Sequence, residues 1–365
     1  MSIYDLWLQR VNVSNRIKLE LFKKFKKSEE IWYYCMSREL PMNENARKKF
    51  ISAWEKDKLY EIIEKINKSN INTVVYGEKN YPKSLENYSD VPIMLFYKGK
   101  IERLNDNICV SIVGARNNSF YGEQATKYIV KELSKYHVNI ISGMARGIDS
   151  IAHLTTLKNN EYTCGILGSG IDVIYPKENE KLYYSIIENG CIMSEFLPGT
   201  KPYSYNFPIR NRIISALAAL LIVVEAGEKS GTLITANYAL EQGKNIIVVP
   251  GTIFSEQSKG TNKLIRDGAY VFTEISDVLD LIGLELYNKK QYNKICSNEY
   301  NNDKNKGDIH SMLYRLICDS PIHIDDIKKR CNVDIKQLYD VLFEMQLDNE
   351  IMCLSGNYYV RVHNA

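Results

Sequence analysis

An α/β protein built on an extended Rossmann-like, doubly wound and mostly parallel sheet is what this 365-residue sequence predicts. Three observations lead there. From Ile108 onward, short β-branched runs alternate with amphipathic helical segments, a pattern that requires right-handed crossovers and helices on both faces of a sheet. The runs ICVSIVG (108–114), VNIIS (138–142), YTCGIL (162–167), CIMSEF (191–196), LLIVVEA (220–226) and NIIVVP (245–250) are apolar almost throughout. Strands buried on both faces read that way, whereas half-exposed ones alternate. Finally, the turns after these strands are rich in glycine and basic residues, at the sheet edge where anions bind.

Taken in order, residues 1–70 read as a small helical domain. RIKLELFKKFKK (16–27) sets Ile17, Leu21, Phe22 and Phe25 at helical spacing among charges, and further helices are expected at 46–57 and 59–67. This is the basic part of the chain, with 15 Lys/Arg against 10 Asp/Glu over residues 1–75. A nucleic-acid accessory and a packing module with a solvated lysine face both fit it. Residues 71–107 read as a connector with strands at 71–76 and 92–97. The Rossmann-like domain, 108–283, then places helices at 121–136, 149–158, 179–188, 209–219 and 231–242. It closes with a helix at 262–267, a strand at 269–272 and a helix at 275–282. Residues 284–307 are polar and Asn/Lys-rich, a linker. Residues 308–365 give helices at 308–318, 324–331 and 335–349, then strands at 350–354 and 358–362, which is winged-helix order. The third of these helices carries one lysine against Asp340, Glu344 and Asp348. That charge suits a protein contact better than a DNA groove.

Composition narrows the function. A chain that is 45% hydrophobic and 25% charged is an ordinary globular protein. No apolar run approaches the ~20 residues that span a bilayer, and the start lacks a signal-peptide layout, so the cytoplasm is the expected compartment. The 8 cysteines show no CxxC spacing and the 5 histidines no ligand pairing, so reduced thiols and no metal are expected. Residues 108–283 carry 16 Lys/Arg against 17 Asp/Glu. A polyanion would have to be held there by a local cluster and not by the global field.

Five turns supply candidates. The first joins Gly114, which allows a tight turn, to Arg116. The second, 142–149, offers Ser142, Gly143, Arg146 and Gly147, followed by Asp149 and His153 on one helix face. That spacing fits an acid/base pair or a structural hydrogen-bonded pair. The third, Gly168-Ser169-Gly170, precedes Tyr175 and Pro176. The fourth holds Arg210, Asn211 and Arg212. The two arginines diverge by about 200° on a helix, so one can face an anion while the other pairs with Glu225 or Glu195. The fifth, Lys229, Ser230, Gly231 and Thr232, opens a helix with a cation, hydroxyls and bare backbone, all suited to phosphate. No GxGxxG follows the first strand and no GxxxxGK[ST] or GxSxG occurs, so no nicotinamide cofactor, Walker-type ATPase or serine nucleophile is indicated.

The motifs VGAR (113–116), SGMARGIDSIAH (142–153), GSGIDVIYP (168–176), SEFLPGTKP (194–202), FPIRNRIISAL (207–217), VVEAGEKSGTLITA (223–236) and VPGTIFSEQSKGTNKLIRDGA (249–269) resemble the DprA/Smf family of DNA-processing proteins. The resemblance spans about 108–283. It implies a non-catalytic protein that binds single-stranded DNA, protects it on entry, and loads RecA recombinase during natural transformation. It also implies a homodimer without cofactors, and DNA contacts at Arg116, the 142–147 loop, Arg210, Asn211 and the 229–232 loop. Family members usually have Gly-Ser-Arg in the first motif; here Ala115 replaces the serine and removes one hydroxyl. Tyr203, Tyr205 and Phe207 are candidates for base stacking or for packing. Two other readings stand beside this one. A Rossmann-like nucleotide hydrolase of the phosphoribohydrolase type would also place a Gly-Thr loop at a helix start. A purely structural oligomerisation protein would leave the Gly/Arg turns unexplained.

Overall fold

The computed structural model describes residues 1–37, 44–284, 309–317, 322–331, 333–348, 350–354 and 356–361. The linker expected at 284–307 lies, past its first residue, outside the described residues. The chain divides into two units, Met1–Tyr287 and Asn288–Ala365.

The first unit opens with α1 (Ile3–Arg10), α2 (Asn15–Phe25), α3 (Ser28–Met36), α4 (Glu44–Ser52) and α5 (Lys56–Lys68). Ser2 and Ser14 cap α1 and α2 by accepting from backbone N–H groups three residues on. Periodicity alone misses α1 and α3. In α1 the consecutive residues Leu6, Trp7 and Leu8 are all buried, so no polar face interrupts the apolar run. The Trp7 indole donates to the Phe50 carbonyl at 3.0 Å, which ties α1 to α4. The helix expected at 46–57 ends at Ser52, and a turn separates it from α5.

Next come β1 (Asn72–Val75) and β2 (Met94–Gly99), which pair antiparallel. The regular alternation follows: β3 (Cys109–Val113), α6 (Phe120–Ser134), β4 (Asn139–Ser142), α7 (Ile148–Lys158), β5 (Thr163–Ile166), α8 (Glu180–Asn189), β6 (Cys191–Ser194), α9 (Asn206–Leu217), β7 (Leu220–Val223), α10 (Gly231–Glu241), β8 (Asn245–Val248), α11 (Lys259–Arg266), β9 (Tyr270–Val271) and α12 (Ile275–Ile282). One nine-stranded sheet results, in the order β1-β2-β6-β5-β4-β3-β7-β8-β9. Strands β3 to β9 are parallel, and β2 joins β6 antiparallel. Residues 71–107 are therefore part of the sheet and not a connector beside it. Their apolar residues, Ile93 to Phe96, are buried as deeply as those of the central strands.

Alternate side chains of β3 explain the two layers. Val110 and Ile112 pack with α6, α7 and α12 on one face, while Cys109 and Val113 face the core that α9, α10 and the five N-terminal helices share. The order reverses between β3 and β7, from which the crossovers run in opposite directions. A crevice opens there at the carboxyl ends of the strands, and it is the position where such sheets bind ligands. No helix among the described residues is long and apolar enough to cross a membrane.

The second unit contains α13 (Ile309–Leu316), β10 (Ile322–His323), α14 (Ile324–Cys331), α15 (Ile335–Leu347), β11 (Ile351–Leu354) and β12 (Tyr358–Arg361). Its three strands form an antiparallel sheet in the order β10-β12-β11 over a core of Leu313, Ile327, Leu338, Leu342 and Met345. The two-residue strand β10 is too short to leave a sequence signal.

Candidate nucleic-acid interface

A cleft of about 650 Å3 lies over the β3/β7 switch point. Residues from four of the five candidate turns line it, including Gly114, Arg116, Arg210, Asn211, Gly231 and Thr232. Backbone contacts hold the first two turns together. The Ile148 N–H donates to the Ala115 carbonyl at 3.2 Å, and Gly147, at φ +75°, leaves no room for a β-carbon beside that oxygen. Only glycine suits such a position.

Arg116 is exposed, and its guanidinium lies 5.8 Å from the centroid of the Phe207 ring. Arg210 approaches the same ring at 5.9 Å, but from inside the protein. It is only 4% exposed and donates to the carbonyls of Gly143, at 2.7 Å, and Ile166. Burial lowers its pKa to about 10, with nearby Asp149 opposing the shift, so it remains a cation at neutral pH. Asp149 accepts from the N–H groups of Gly143 and Ala145 at 3.2 and 3.3 Å. Burial pushes its carboxyl up, and Arg210 pulls it back. Arg210 is thus a buried positive post for the second turn, with Asn211 linking it to α10. The Asn211 oxygen accepts from Arg210 Nε at 3.2 Å, and its amide donates to the Gly231 carbonyl at 3.4 Å.

Arg212 takes the opposite direction and forms a buried ion pair with Glu195, one of the two partners foreseen. Glu225 caps α6 instead, accepting from the N–H and hydroxyl of Ser119.

The hydroxyls expected to meet phosphate are engaged internally. Ser142 is fully buried and donates to the Ile112 carbonyl at 2.6 Å. Thr232 donates to the Gly114 carbonyl at 3.0 Å and so ties α10 to the first turn. Ser230 donates to Thr232 at 3.0 Å and, as N-cap, accepts from its N–H. What α10 offers the cleft is its positive N-terminus and the bare Gly231, beside which a β-carbon would meet nothing within 4 Å. Lys229 is exposed but does not line the cleft. Arg146 lines a small adjoining pocket with Arg116, Tyr175 and Phe207, and it pairs with Glu178 at 2.5 Å, both side chains largely exposed. Such a pair is weak and opens readily to another anion.

Asp149 and His153 share a helix face but do not bond to each other. His153 Nδ1 lies 2.6 Å from the Thr163 hydroxyl, whose own proton goes to the Ile140 carbonyl, so Nδ1 carries the ring proton and donates. Burial lowers the His153 pKa to about 3. A neutral, buried imidazole bonded to a threonine is no partner for acid/base chemistry with Asp149. No group of three or more His, Cys, Asp or Glu able to hold a metal occurs among the described residues.

Aromatic surface flanks the cleft. Tyr175 meets Phe207 at 5.6 Å, and Tyr203 and Tyr205 stack at 5.3 Å with planes 5° apart, both exposed. Asn117, next to Arg116 in the first turn, also lines the cleft, as does Gln257, to which sequence reasoning gave no role. Gln257 arrives from the segment after β8, within the motif 249–269 that carries the family resemblance, and the place of β8 beside β7 brings it to the cleft.

Known proteins place the chain in a family. A family model described as DNA recombination-mediator protein A matches residues 72–283, taking in β1 and β2 as well as the alternating region. The chain is 39% identical to the DNA processing protein DprA of Bacillus subtilis over 223 residues, 61% of this chain and 75% of that protein. It is 34% identical to the protein Smf of Escherichia coli over 291 residues, 78% of this chain and 76% of that one. The crystal structure of DprA from Streptococcus pneumoniae superposes with a TM-score of 0.67 at 30% identity, covering 77% of this chain and 98% of that one. DprA from Helicobacter pylori, whose structure is described by its single-stranded DNA binding mode, gives 0.53 at 31% identity over 58% and 95%. With the family model covering more than half of the sequence and the relatives spanning most of it, the chain belongs to the DNA recombination-mediator protein A family, the DprA/Smf proteins.

Proposed function

We propose that this protein binds the phosphate chain of single-stranded DNA in the switch-point cleft, without reading sequence and without catalysis. In this reading it works in the cytoplasm as a homodimer, protects incoming DNA and passes it to RecA recombinase during natural transformation. The observation that carries the reading is Arg116, an exposed cation held over the Phe207 ring at the mouth of the cleft. A phosphate ligand beside a stacking surface is the combination that single strands require. The N-terminus of α10 adds a second anion-seeking group, and Tyr203 and Tyr205 add further π-surface. The description of the Helicobacter pylori relative supports the ligand class, and the separation of Asp149 from His153 supports binding over chemistry. The acidic balance of α15 supports a protein-contact role for the C-terminal, winged-helix-like unit.

Gel shifts with single- and double-stranded oligonucleotides at two salt concentrations, with and without RecA, test the proposal. Preferential, salt-sensitive retention of single strands and faster RecA filament growth are expected. Equal retention of duplex, or release of free base from nucleoside monophosphates, would favour the nucleotide-hydrolase alternative, for which α10 would be the phosphate seat.

A further inference from the structure

The basic N-terminal helices carry a feature that the cleft does not use. Lys23, Lys26 and Lys27 line a groove of about 550 Å3 together with Phe22 and Tyr76. Lys23 Nζ lies 5.7 Å from the centroid of the Tyr76 ring, and Phe22 meets Tyr76 edge-on at 6.2 Å. Lys24, beside them, sits 5.2 and 5.1 Å from the rings of Phe25 and Tyr34. No ion pair among the described residues engages any of these four lysines, although they crowd into five positions. The acids of the groove are differently placed. Asp5 accepts from the Ser2 N–H in a capping box, Glu78 accepts from the Val75 N–H at 2.7 Å, and Glu29 opens α3. Asp5 and Glu78 are thus engaged by backbone N–H groups, whereas Lys23 and Lys24 meet aromatic rings and, among the described residues, no carboxylate.

Lys26 is the more telling because it occupies the left-handed C-cap of α2, at φ +65°. Glycine is the residue that favours this position. A lysine held there is conformationally disfavoured, which suits a side chain kept for binding.

Topology puts the groove on the correct edge of the molecule. Strand β1 is antiparallel to β2, and β2 is antiparallel to β6, so β1 runs parallel to β3 through β8. The groove, built at the end of β1 by Val75, Tyr76, Gly77 and Glu78, therefore opens at the carboxyl edge of the sheet, as the cleft does. Five strand-to-strand steps separate β1 from β3, roughly 24 Å at about 4.8 Å per step. The loop after β6, with the exposed Lys201, Tyr203 and Tyr205, lies along that interval.

We infer that the Lys23–Lys27 groove is a second contact for single-stranded DNA, engaged when a strand seated in the cleft is long enough to cross the sheet edge past the Tyr203/Tyr205 stack. The inference rests on the function proposed above for the cleft. Its ligand is the phosphodiester backbone, with Tyr76 as a stacking surface; an acidic protein segment is the competing occupant.

Fluorescence anisotropy with oligothymidylates of about 6 and about 20 nucleotides separates the possibilities, with the full chain and two variants. Lys23→Glu/Lys26→Glu/Lys27→Glu should bind the short oligomer as the parent does. It should bind the long one at least tenfold more weakly, with a salt slope shallower by about 2, the loss of three single-strand phosphate contacts. Lys26→Gly should raise the thermal midpoint, because glycine relieves the left-handed cap, and yet weaken binding of the long oligomer alone. Long-oligomer binding that keeps its affinity and salt slope in both variants would overturn the inference and leave the groove to a protein. Equal weakening for both lengths would also overturn it, since the lysines would then act through the fold. Failure of the parent protein to bind either oligomer would instead refute the function of the cleft.

Discussion

Arg116 and Arg210 approach one aromatic ring and serve different ends. Arg116 is exposed and, among the described residues, pairs with no carboxylate, so it can exchange solvent for phosphate at little cost. Arg210 is enclosed; its Nη1 donates to the Gly143 and Ile166 carbonyls and its Nε to Asn211. Its charge still reaches the cleft, through position more than through direct contact. A comparable division occurs at Lys18, which is 5% exposed and donates to the Gln9 carbonyl at 2.7 Å. Burial lowers its pKa to about 8, with Glu195 opposing. Between that value and the ordinary one the unfolded chain holds more protons than the folded chain, so this lysine makes stability rise as pH goes from about 8 to 10.5. Lys18→Met is expected to remove that rise and to stabilise the protein at pH 7 by about 1–3 kcal/mol. Urea unfolding across this pH range measures both. A variant with the parent's pH dependence would show that Lys18 is hydrated in the fold.

Among the elements, the turns matter most, because several of them must pack backbone on backbone to make one cleft. Gly147→Ala should cost about 2–4 kcal/mol, from strain at positive φ and collision with the Ala115 carbonyl. DNA binding should fall with it, since the first and second turns separate. Thermal melting and anisotropy on the same sample read the two effects together. The glycine and arginine turns were legible in the sequence because a strand that is apolar throughout implies burial, and burial implies that function gathers at its ends. The fate of individual polar atoms was not legible. Ser142 and Thr232 look alike as phosphate donors in a motif, yet each hydroxyl serves a carbonyl, of Ile112 and Gly114, that only the folded sheet brings near. The exposure of Arg116 and enclosure of Arg210 are likewise tertiary facts. Helices α1 and α3 were missed for the converse reason: they are apolar around most of their circumference, so no period stands out. Strands β1 and β2 were visible, but the sequence did not reveal that β2 joins β6 antiparallel, with β1 outside it. That pairing is non-local and leaves no pattern in either strand.

At the scale of the first unit, the N-terminal helices and the sheet share one core. Glu195, at the end of β6, pairs with Arg212 and accepts from the Asn15 amide at 3.2 Å, while its own carbonyl accepts from Gln9 at 2.6 Å. Farther along, Lys65 of α5 pairs with Asp172 at 2.7 Å, and Asp172 accepts from the Gly199 N–H, also at 2.7 Å. The loop bearing Tyr203 and Tyr205 is thus held on its N-terminal side, at Glu195 and Gly199, by groups that the helices touch. Removing Glu195 leaves the buried Arg212 only the more exposed Asp90, at 3.6 Å, as a counter-charge among the described residues, so Glu195→Ala should cost about 3 kcal/mol. Hydrogen exchange should accelerate in α1 and α2 as well as near β6; acceleration near β6 alone would mean that the helices fold independently. Through this coupling, helices far from the cleft can influence how it presents its aromatic loop. The central claim remains that the exposed Arg116 at the switch-point cleft is a phosphate ligand for single-stranded DNA. The most direct measurement compares the parent with Arg116→Ala, recording oligothymidylate affinity at two salt concentrations and the thermal midpoint. Arg116→Ala should bind at least tenfold more weakly, with a salt slope shallower by about 0.7 and an unchanged midpoint. Undiminished affinity at an unchanged midpoint would contradict the claim.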